Sequence, residues 1–302
     1  MDRRRFAHMA IALAGAWPVA RALGGGEPAQ KIWGDAQLER WHAIEARVGG
    51  RLGVAVLDTG TGALAGQRLD ERFPMCSTFK TLAAALVLAR VDAGQERLDR
   101  RIAVTRADLL EWAPVTSKRV GGVGMTVAEL CEAAITVSDN TAANLLLASA
   151  GGPTGVTGFA RRIGDGMTRL DRIEPELNEA TPGDPRDTST PRAMAQTLRS
   201  VLLGSALSAA GRALIVQWMS ASTTGAQRLR AGVPFDWRVA DKTGTGELGT
   251  TNDIGLLWPP RRAPLVVVSY LTECRAAADA REAALADVAR SVTGAATVLR
   301  AS

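Results

Sequence analysis

The stretch PMCSTFK (residues 74–80) stands immediately before residues 81–91, an almost wholly apolar run of helix-forming residues. Residues three apart share one face of a helix, so Ser77 and Lys80 should meet beside the first turn, where free backbone N–H groups collect. This placement suits a nucleophilic serine. It also suits an ordinary helix cap, so the rest of the chain has to separate the two interpretations.

Strand patterns occur near both ends of the chain. They lie at 51–58 and 63–69, around the turn TGTG, and return at 236–244, 252–258 and 263–271. The simplest packing places all of them in one sheet. We therefore predict an α+β fold with a five-stranded antiparallel sheet.

Helical patterns occupy the two ends and the middle of the chain. Leu38, Trp41, Ile44 and Val48 recur at helical spacing in the first of them, and the last is a helical run from residue 276 to 299. The terminal helices should flank the sheet, with an all-helical lobe beside it and the active site in the cleft between the lobes. The predicted boundaries are a single domain at 23–302, an α/β lobe at about 31–68 and 220–302, a helical lobe at about 69–219, and within it a long irregular loop at about 164–187.

The first 22 residues, MDRRRFAHMAIALAGAWPVARA, have an arginine cluster, an apolar core and small residues near their end. They predict a twin-arginine-type export signal and a periplasmic protein. The alternative is a membrane anchor, but the apolar run is too short to span well. Removing four arginines and one aspartate with this segment lowers the formal net charge from +5 to +2. Because this charge comes without a lysine-rich patch, we expect no nucleic-acid partner. We also expect no stable membrane association after export, and a monomer.

Residue types that are scarce exclude several kinds of site. The two histidines, His8 and His42, rule against a Ser-His-Asp triad and a histidine zinc site, since His8 is in the signal and His42 should face solvent. The three cysteines, Cys76, Cys131 and Cys274, have no zinc-binding spacing, and an odd count leaves a free thiol. We expect no metal, no cofactor and no disulfide framework, and we expect Cys76 to be a small buried apolar residue.

Lysine is rare in this arginine-rich chain, and Lys80 is one of four. Arginine keeps its proton in proteins, whereas a desolvated lysine can release it, so a lysine at this position fits proton transfer. Three further motifs accompany it. They are Ser138-Asp139-Asn140 after a capped helix, Lys242-Thr243-Gly244 at the end of a strand, and Glu174 with Asn178 in the long loop.

Each motif alone is weak, but in this order and spacing the set resembles the class A serine β-lactamases, from about Trp33 to the C-terminus. The resemblance implies that Ser77 attacks the β-lactam carbonyl and forms an acyl-enzyme. Lys80 would help to take its proton, and either Lys80 or Glu174 would be the acylation base. Ser138 would pass a proton to the departing ring nitrogen. Glu174 and Asn178 would hold the water that cleaves the acyl-enzyme.

The resemblance also implies substrate contacts. The backbone N–H groups of Ser77 and Thr245 would form the oxyanion hole. Lys242, Thr243 and Thr245 would hold the substrate carboxylate. The other predicted binding residues are Asn140 for the side-chain amide, Arg228 as a second cationic contact, and Trp112 at the cleft mouth. Arg228 could instead be one of many surface arginines, and Trp112 could simply pack.

Family patterns further imply a salt bridge between Arg172 and Asp187 at the neck of the loop, and a cis bond between Glu174 and Pro175. The sequence departs from carbapenem-hydrolysing relatives, because the partner position of Cys76 is Gly246 and no disulfide can form there. Penicillins and cephalosporins are the expected substrates.

Two alternatives remain open at this point. A penicillin-binding DD-peptidase or transpeptidase of the same fold shares the serine and lysine motifs but loses its acyl group slowly. A non-catalytic β-lactam sensor or binding module would show a broken Ser-x-x-Lys motif or lack the loop glutamate, and this chain has both features.

Overall fold

The computed structural model describes residues 34–298, so the predicted export segment 1–22 lies outside the described residues. The strands within this range are β1 (Arg51–Asp58), β2 (Leu64–Gln67), β3 (Phe73–Pro74), β4 (Arg101–Ile102), β5 (Met125–Thr126), β6 (Thr188–Ser189), β7 (Arg238–Thr245), β8 (Thr251–Trp258) and β9 (Leu265–Thr272). The helices are α1 (Asp35–Val48), α2 (Phe79–Asp92), α3 (Val127–Thr136), α4 (Asn140–Ser149), α5 (Gly152–Arg162), α6 (Pro191–Leu202), α7 (Ala209–Ser220) and α8 (Ala278–Val298).

Strands β2, β1, β9, β8 and β7 form, in that order, one antiparallel sheet. β1 pairs along its whole length with β9, from the pair Arg51 and Thr272 to the pair Asp58 and Leu265. Every residue of β9 is buried because helices cover both faces of the sheet, which is why this strand is almost wholly apolar. The predicted five-stranded sheet built from both ends of the chain is confirmed.

Two apolar cores lie on the two faces of this sheet. On one face α1 and α8 cover the strands, and the indole of Trp41 is buried and donates to Ser291 Oγ at 3.0 Å. On the other face α2 and α6 pack with the remaining helices around Phe73, Phe79 and Tyr270. His42 is exposed on α1, as predicted.

The helix α2 runs through the second core, and a short 3₁₀ helix precedes it where the sequence pattern predicts the first helical turn. The α2 residues from Phe79 to Leu88 are all buried, so the helix is surrounded by protein on every side, and apart from Lys80 and Thr81 these residues are apolar. Ser77 lies one turn earlier in a 3₁₀ helix, Cys76–Thr78, that leads into α2. Ser77 and Lys80 therefore sit on either side of the junction between the two helices.

The long loop is closed at its neck as predicted. Arg172 Nε lies 2.6 Å from Asp187 Oδ2, and Asp187 Oδ1 accepts the backbone N–H groups of Asp171 and Arg172. Asp187 is buried, so the pair is shielded from solvent rather than on the surface. The bond between Glu174 and Pro175 is cis, also as predicted.

The two-lobe boundaries at residues 68–69 and 219–220 stay a prediction. The helix α6 belongs to the predicted helical lobe, yet it packs against β1 and β9 and so joins that lobe to the sheet. Across residues 34–298 no helix combines the length and apolar character that crossing a membrane requires.

Candidate active site

The cleft lies between the edge strand β7, the start of α2, the start of α4 and the long loop. Its volume is about 540 Å³. The residues that line it are Ser77, Trp112, Ser138, Asn140, Asn178, Thr224, Arg228, Thr243, Gly244 and Thr245. Three predicted residues, Lys80, Glu174 and Lys242, lie beneath this surface and are fully or almost fully buried. The structure thus brings every predicted site residue to one place, although they come from distant parts of the chain.

The Glu174 carboxylate is the centre of the contacts. Ser77 Oγ donates to Glu174 Oε1 at 3.1 Å, and Lys80 Nζ lies 3.0 Å from the same oxygen. Asn178 Nδ2 donates to the other oxygen, Oε2, at 2.6 Å. One carboxylate therefore reaches the hydroxyl, the ammonium group and the loop amide together.

The Lys80 ammonium group has three further acceptors. They are the Ser138 carbonyl at 2.8 Å, Asn140 Oδ1 at 2.6 Å and Ser138 Oγ at 3.2 Å. Burial lowers the pKa of Lys80, and the adjacent Glu174 carboxylate opposes that shift. All of these oxygens can accept hydrogen bonds, which suits a protonated amine because it has three donors and no acceptor.

Ser138 Oγ lies between the two buried lysines. Lys242 Nζ donates to it at 3.0 Å, and Lys80 Nζ approaches it from the other side. Burial lowers the pKa of Lys242 well below 10.5, and repulsion by the nearby Lys80 lowers it further. Ser138 is thus a hydroxyl in contact with two proton donors.

A family model described as the β-lactamase enzyme family matches residues 37–296 of the chain. The chain is 50% identical over 271 residues to the β-lactamase CTX-M-8 of Citrobacter amalonaticus, which covers 90% of this chain and 92% of that protein. The chain belongs to the class A β-lactamases. It is accordingly a hydrolase that cleaves β-lactams, and the predicted family and activity are confirmed.

Two other relatives of this class A β-lactamase support the same family assignment. The β-lactamase OXY-2 of Klebsiella oxytoca is 48% identical over 283 residues, which is 93% of this chain and 95% of that protein. The solved structure of the class A β-lactamase of the last common ancestor of Gram-negative bacteria (GNCA4) superposes with a TM-score of 0.84. It is 65% identical, and the match covers 85% of this chain and 98% of that chain.

Arg228 does not point freely into the cleft of the β-lactamase. Only 7% of its surface is exposed, and its guanidinium donates to the carbonyls of Gly244 at 2.9 Å and Asn252 at 2.8 Å. It also donates to Thr245 Oγ1 at 2.8 Å. Its Nε also pairs with Glu282 Oε1 on α8 at 3.2 Å. The alternative of an ordinary surface arginine is therefore wrong, because Arg228 is buried between β7, β8 and α8.

Trp112 stands at the mouth of the cleft and is 56% exposed. Its indole N–H donates to the Val137 carbonyl at 3.0 Å, and its own carbonyl accepts the Asn140 N–H at 2.9 Å. The ring is thus held against the Ser138-Asp139-Asn140 segment instead of packing into a core.

Sequence reasoning assigned no role to three residues that hold the site of the β-lactamase. Asn144 binds the backbone of Glu174 on both sides: its Nδ2 donates to the Glu174 carbonyl at 2.8 Å, and its Oδ1 accepts the Glu174 N–H at 3.0 Å. The sequence feature that could have indicated Asn144 is its polar amide in the otherwise apolar middle of α4. Asp139 accepts the N–H of Ala142 at the start of α4 and those of Val115 and Thr116.

Thr224 is the third missed residue. Its Oγ1 lies 2.6 Å from Thr243 Oγ1, so it fixes the hydroxyl that was predicted to bind the substrate carboxylate. No local sequence signal marks it, because the contact joins the loop after α7 to β7.

All three cysteines are buried and free within the described residues. Burial raises the pKa of Cys76. A Cβ atom added at Gly246 would lie 2.6 Å from Cys76 Sγ, so the thiol fills the space beneath that glycine. The described part of the chain holds no group of three or more His, Cys, Asp or Glu side chains suited to a metal ion.

Proposed function

We propose that this β-lactamase hydrolyses penicillins and cephalosporins through an acyl-enzyme on Ser77, with Glu174 as the base of both half-reactions. The observation that carries this proposal is the contact of one Glu174 oxygen with Ser77 Oγ at 3.1 Å and Lys80 Nζ at 3.0 Å. The Ser77 hydroxyl and the Lys80 ammonium group are therefore both within hydrogen-bond distance of the Glu174 carboxylate, as proton transfer to a general base requires.

In the acylation step, Ser77 Oγ attacks the β-lactam carbonyl carbon and its proton passes to Glu174. Lys80, held by four oxygens, stays protonated and stabilises the charge on the neighbouring groups. This geometry favours Glu174 over Lys80 as the acylation base. The backbone N–H groups of Ser77 and Thr245 receive the developing oxyanion, a contribution of roughly 3 kcal/mol per donor in a protease.

The ring opens when the carbon–nitrogen bond of the tetrahedral intermediate breaks. Ser138 donates its hydroxyl proton to the departing nitrogen and is reprotonated by Lys80 or Lys242, both of which contact its Oγ. Glu174 then returns the proton taken from Ser77 to Lys80, with which it is paired at 3.0 Å, and where Lys242 was the donor Lys80 passes a proton to it through Ser138 Oγ. The charges of the free enzyme are thereby restored with the acyl group attached.

The substrate is held by groups on the two sides of the cleft. Lys242 attracts its carboxylate, and the hydroxyls of Thr243 and Thr245 donate to it, oriented by Thr224 and Arg228. Arg228 acts here through Thr245. On the opposite side Asn140 receives the side-chain amide and Trp112 covers the apolar part of the substrate.

Glu174 and Asn178 distinguish this site from that of a peptidase. The Glu174 carboxylate takes a proton from a water molecule that attacks the ester carbonyl, and the Asn178 amide, 2.6 Å from Glu174, helps to orient that water. The bond between Ser77 Oγ and the acyl carbon then breaks, and Glu174 returns the proton to Ser77 Oγ, which it contacts at 3.1 Å. Asn144 fixes the backbone of Glu174. The acyl group is therefore released quickly, as resistance to β-lactams requires.

The export route, the cellular compartment and the oligomeric state of the enzyme are part of the same proposal. Residues 1–22 direct export through a twin-arginine-type pathway, and the mature enzyme acts in the periplasm as a monomer. The mature charge of +2 and the arginine pair in the segment RRRF support this setting.

Turnover separates hydrolysis from penicillin binding. The mature protein should hydrolyse a chromogenic cephalosporin and benzylpenicillin for many cycles, because Glu174 is placed to activate water. Hydrolysis is followed by absorbance and the protein by mass spectrometry. Stoichiometric labelling of well-folded protein without turnover would instead support the peptidase.

The buried position of Lys242 predicts a pH effect. Because the pKa of Lys242 is lowered, the group loses its proton below pH 10.5 as pH rises, and the neutral amine no longer attracts the substrate carboxylate. The value of kcat/KM for benzylpenicillin should therefore fall on the alkaline side. In Lys242→Arg the guanidinium keeps its proton, so the fall should move to higher pH. An unchanged alkaline limb would assign it to another group, such as Lys80.

A further inference from the structure

The backbone turn that precedes Ser77 has an unusual conformation. Cys76 has a φ of +45°, in the left-handed region that residues other than glycine rarely adopt. Such a conformation persists only where the surrounding structure holds it. The groups that hold residues 74–76 therefore also set the direction of the next backbone N–H, that of Ser77, which is predicted to form half of the oxyanion hole.

Asn252 of β8 holds this turn from the side of the sheet. Its Nδ2 donates to the Pro74 carbonyl at 2.8 Å and to the Met75 carbonyl at 3.2 Å. An amide nitrogen carries two N–H groups, so one side chain can bind both carbonyls. Asn252 is fully buried, and its Oδ1 accepts no hydrogen bond from residues 34–298. The side chain therefore binds the turn through its donors alone.

The long loop and Thr78 hold the same turn from other directions. The Met75 N–H donates to the carbonyl of Asp187 at 2.9 Å, at the neck of the long loop. The Met75 carbonyl also accepts Thr78 Oγ1 at 2.7 Å. The Met75 peptide groups are thus fixed by the loop, by Thr78 and by Asn252 together, which explains how the strained residue after them is maintained.

Asn252 also lies next to the strand that carries the other half of the predicted oxyanion hole. In the ladder between β7 and β8 it pairs with Gly244, the residue before Thr245. A Cβ atom added to Gly244 would lie 2.7 Å from the Met75 carbonyl oxygen, so β7 runs directly against the turn. Asn252 therefore links the two backbone segments that carry the predicted oxyanion donors.

From these contacts we propose that Asn252 is a positioning residue for the oxyanion hole. Its amide fixes the turn before Ser77 against β7, so that the N–H groups of Ser77 and Thr245 converge on one oxygen atom. Preorganised donors of this kind accelerate a reaction because they need not reorient as charge develops. This inference rests on the proposed acyl-enzyme mechanism, in which those two groups receive the developing oxyanion.

The backbone of Asn252 makes a separate contact that a change of side chain leaves in place. Its carbonyl accepts the Arg228 guanidinium at 2.8 Å, and Arg228 in turn holds the Thr245 hydroxyl for the substrate carboxylate. The Asn252 side chain is not among the groups that line the cleft. Its removal should therefore weaken stabilisation of the transition state without weakening the grip on the carboxylate, and the effect should fall on kcat rather than on KM.

The variant Asn252→Leu removes both donors and keeps a side chain that branches at the same atom. Loss of two hydrogen bonds should lower kcat for benzylpenicillin roughly ten- to a hundredfold, with KM changed by no more than about twofold. The affinity for phenylboronic acid should fall by a similar factor. Its boron accepts an electron pair from Ser77 Oγ, the serine proton passes to Glu174, and one boronate oxygen occupies the oxyanion hole.

Two further variants separate positioning from stability. Ser291→Ala removes a buried hydroxyl on the opposite face of the sheet, where it accepts the Trp41 N–H at 3.0 Å. This control should lower thermal stability and leave kcat and boronate affinity unchanged. Thr78→Val removes the other side-chain donor to the Met75 carbonyl and should lower kcat and boronate affinity by a smaller factor, so it tests the inference even where Asn252→Leu does not fold.

Circular dichroism establishes which variants are folded. The proposal is overturned if the folded variants at positions 252 and 78 bind phenylboronic acid as the wild type does, or if their loss lies in KM alone. It is also overturned if Ser291→Ala loses as much boronate affinity as they do. Wild-type protein that fails to hydrolyse benzylpenicillin would instead contradict the proposed function.

Discussion

Replacing Glu174 with alanine should slow both half-reactions but block release of the acyl group most, because Lys80 remains near Ser77 as an alternative base for acylation, so the acyl-enzyme should accumulate. The variant loses the base that activates the attacking water, and general bases contribute about 10²- to 10⁴-fold to rate. We expect kcat for benzylpenicillin to fall by that factor. Mass spectrometry of the reaction mixture should detect the protein with one penicilloyl group on Ser77.

Two further variants serve as comparisons in this experiment. Alanine at position 174 leaves the buried Lys80 without its carboxylate, so Glu174→Gln, which keeps the shape and the amide contact with Asn178, separates lost stability from lost chemistry. It should accumulate the same acyl-enzyme. Glu176→Ala removes an exposed carboxylate two residues away and should turn over normally. Rapid release of the acyl group in both variants at position 174 would rule out Glu174 as the base.

Replacing Ser77 with alanine should abolish acylation altogether. No other hydroxyl donates to Glu174 within residues 34–298, so nothing replaces the nucleophile. A serine protease loses on the order of 10⁶-fold in kcat when its nucleophile is removed. We expect no covalent penicillin adduct by mass spectrometry and no hydrolysis above background.

The neighbouring thiol provides the matched control. Cys76 is fully buried, and burial raises its pKa, so it should not react in place of Ser77. Cys76→Ala should retain acylation and hydrolysis, with a modest loss of stability from the space left beneath Gly246. An adduct that forms in Ser77→Ala and disappears in the double variant would identify Cys76 as the nucleophile and contradict the proposal.

Much of the fold could be predicted because its signals are local. The alternation and apolar content of residues 51–58 predict β1 with the bounds that the structure gives it. Thr126 and Glu129 form a capping box at the start of α3. Thr190 caps the start of α6, and both helices begin where these residue types predict. Each signal depends on interactions within a few residues, which a sequence displays directly.

The start of α2 and the contacts of Arg228 were harder to predict. Residues 76–78 form a 3₁₀ turn in which Cys76 has a φ of +45°, a conformation that its sequence does not favour and that the surrounding site imposes. Arg228 lines the cleft, and no sequence signal indicated that its guanidinium also binds carbonyls of β7 and β8. Both results depend on how distant strands and turns pack.

By itself the sequence determined the α+β class, the residue types of the catalytic set and the chemistry they can perform, because the motifs keep their order along the chain. Only the tertiary structure decided that Glu174 reaches Ser77 across 97 positions, and that Asn144 holds its backbone. A one-dimensional chain records which groups are present, whereas hydrogen bonds and burial depend on distances that exist only after the strands and helices have packed.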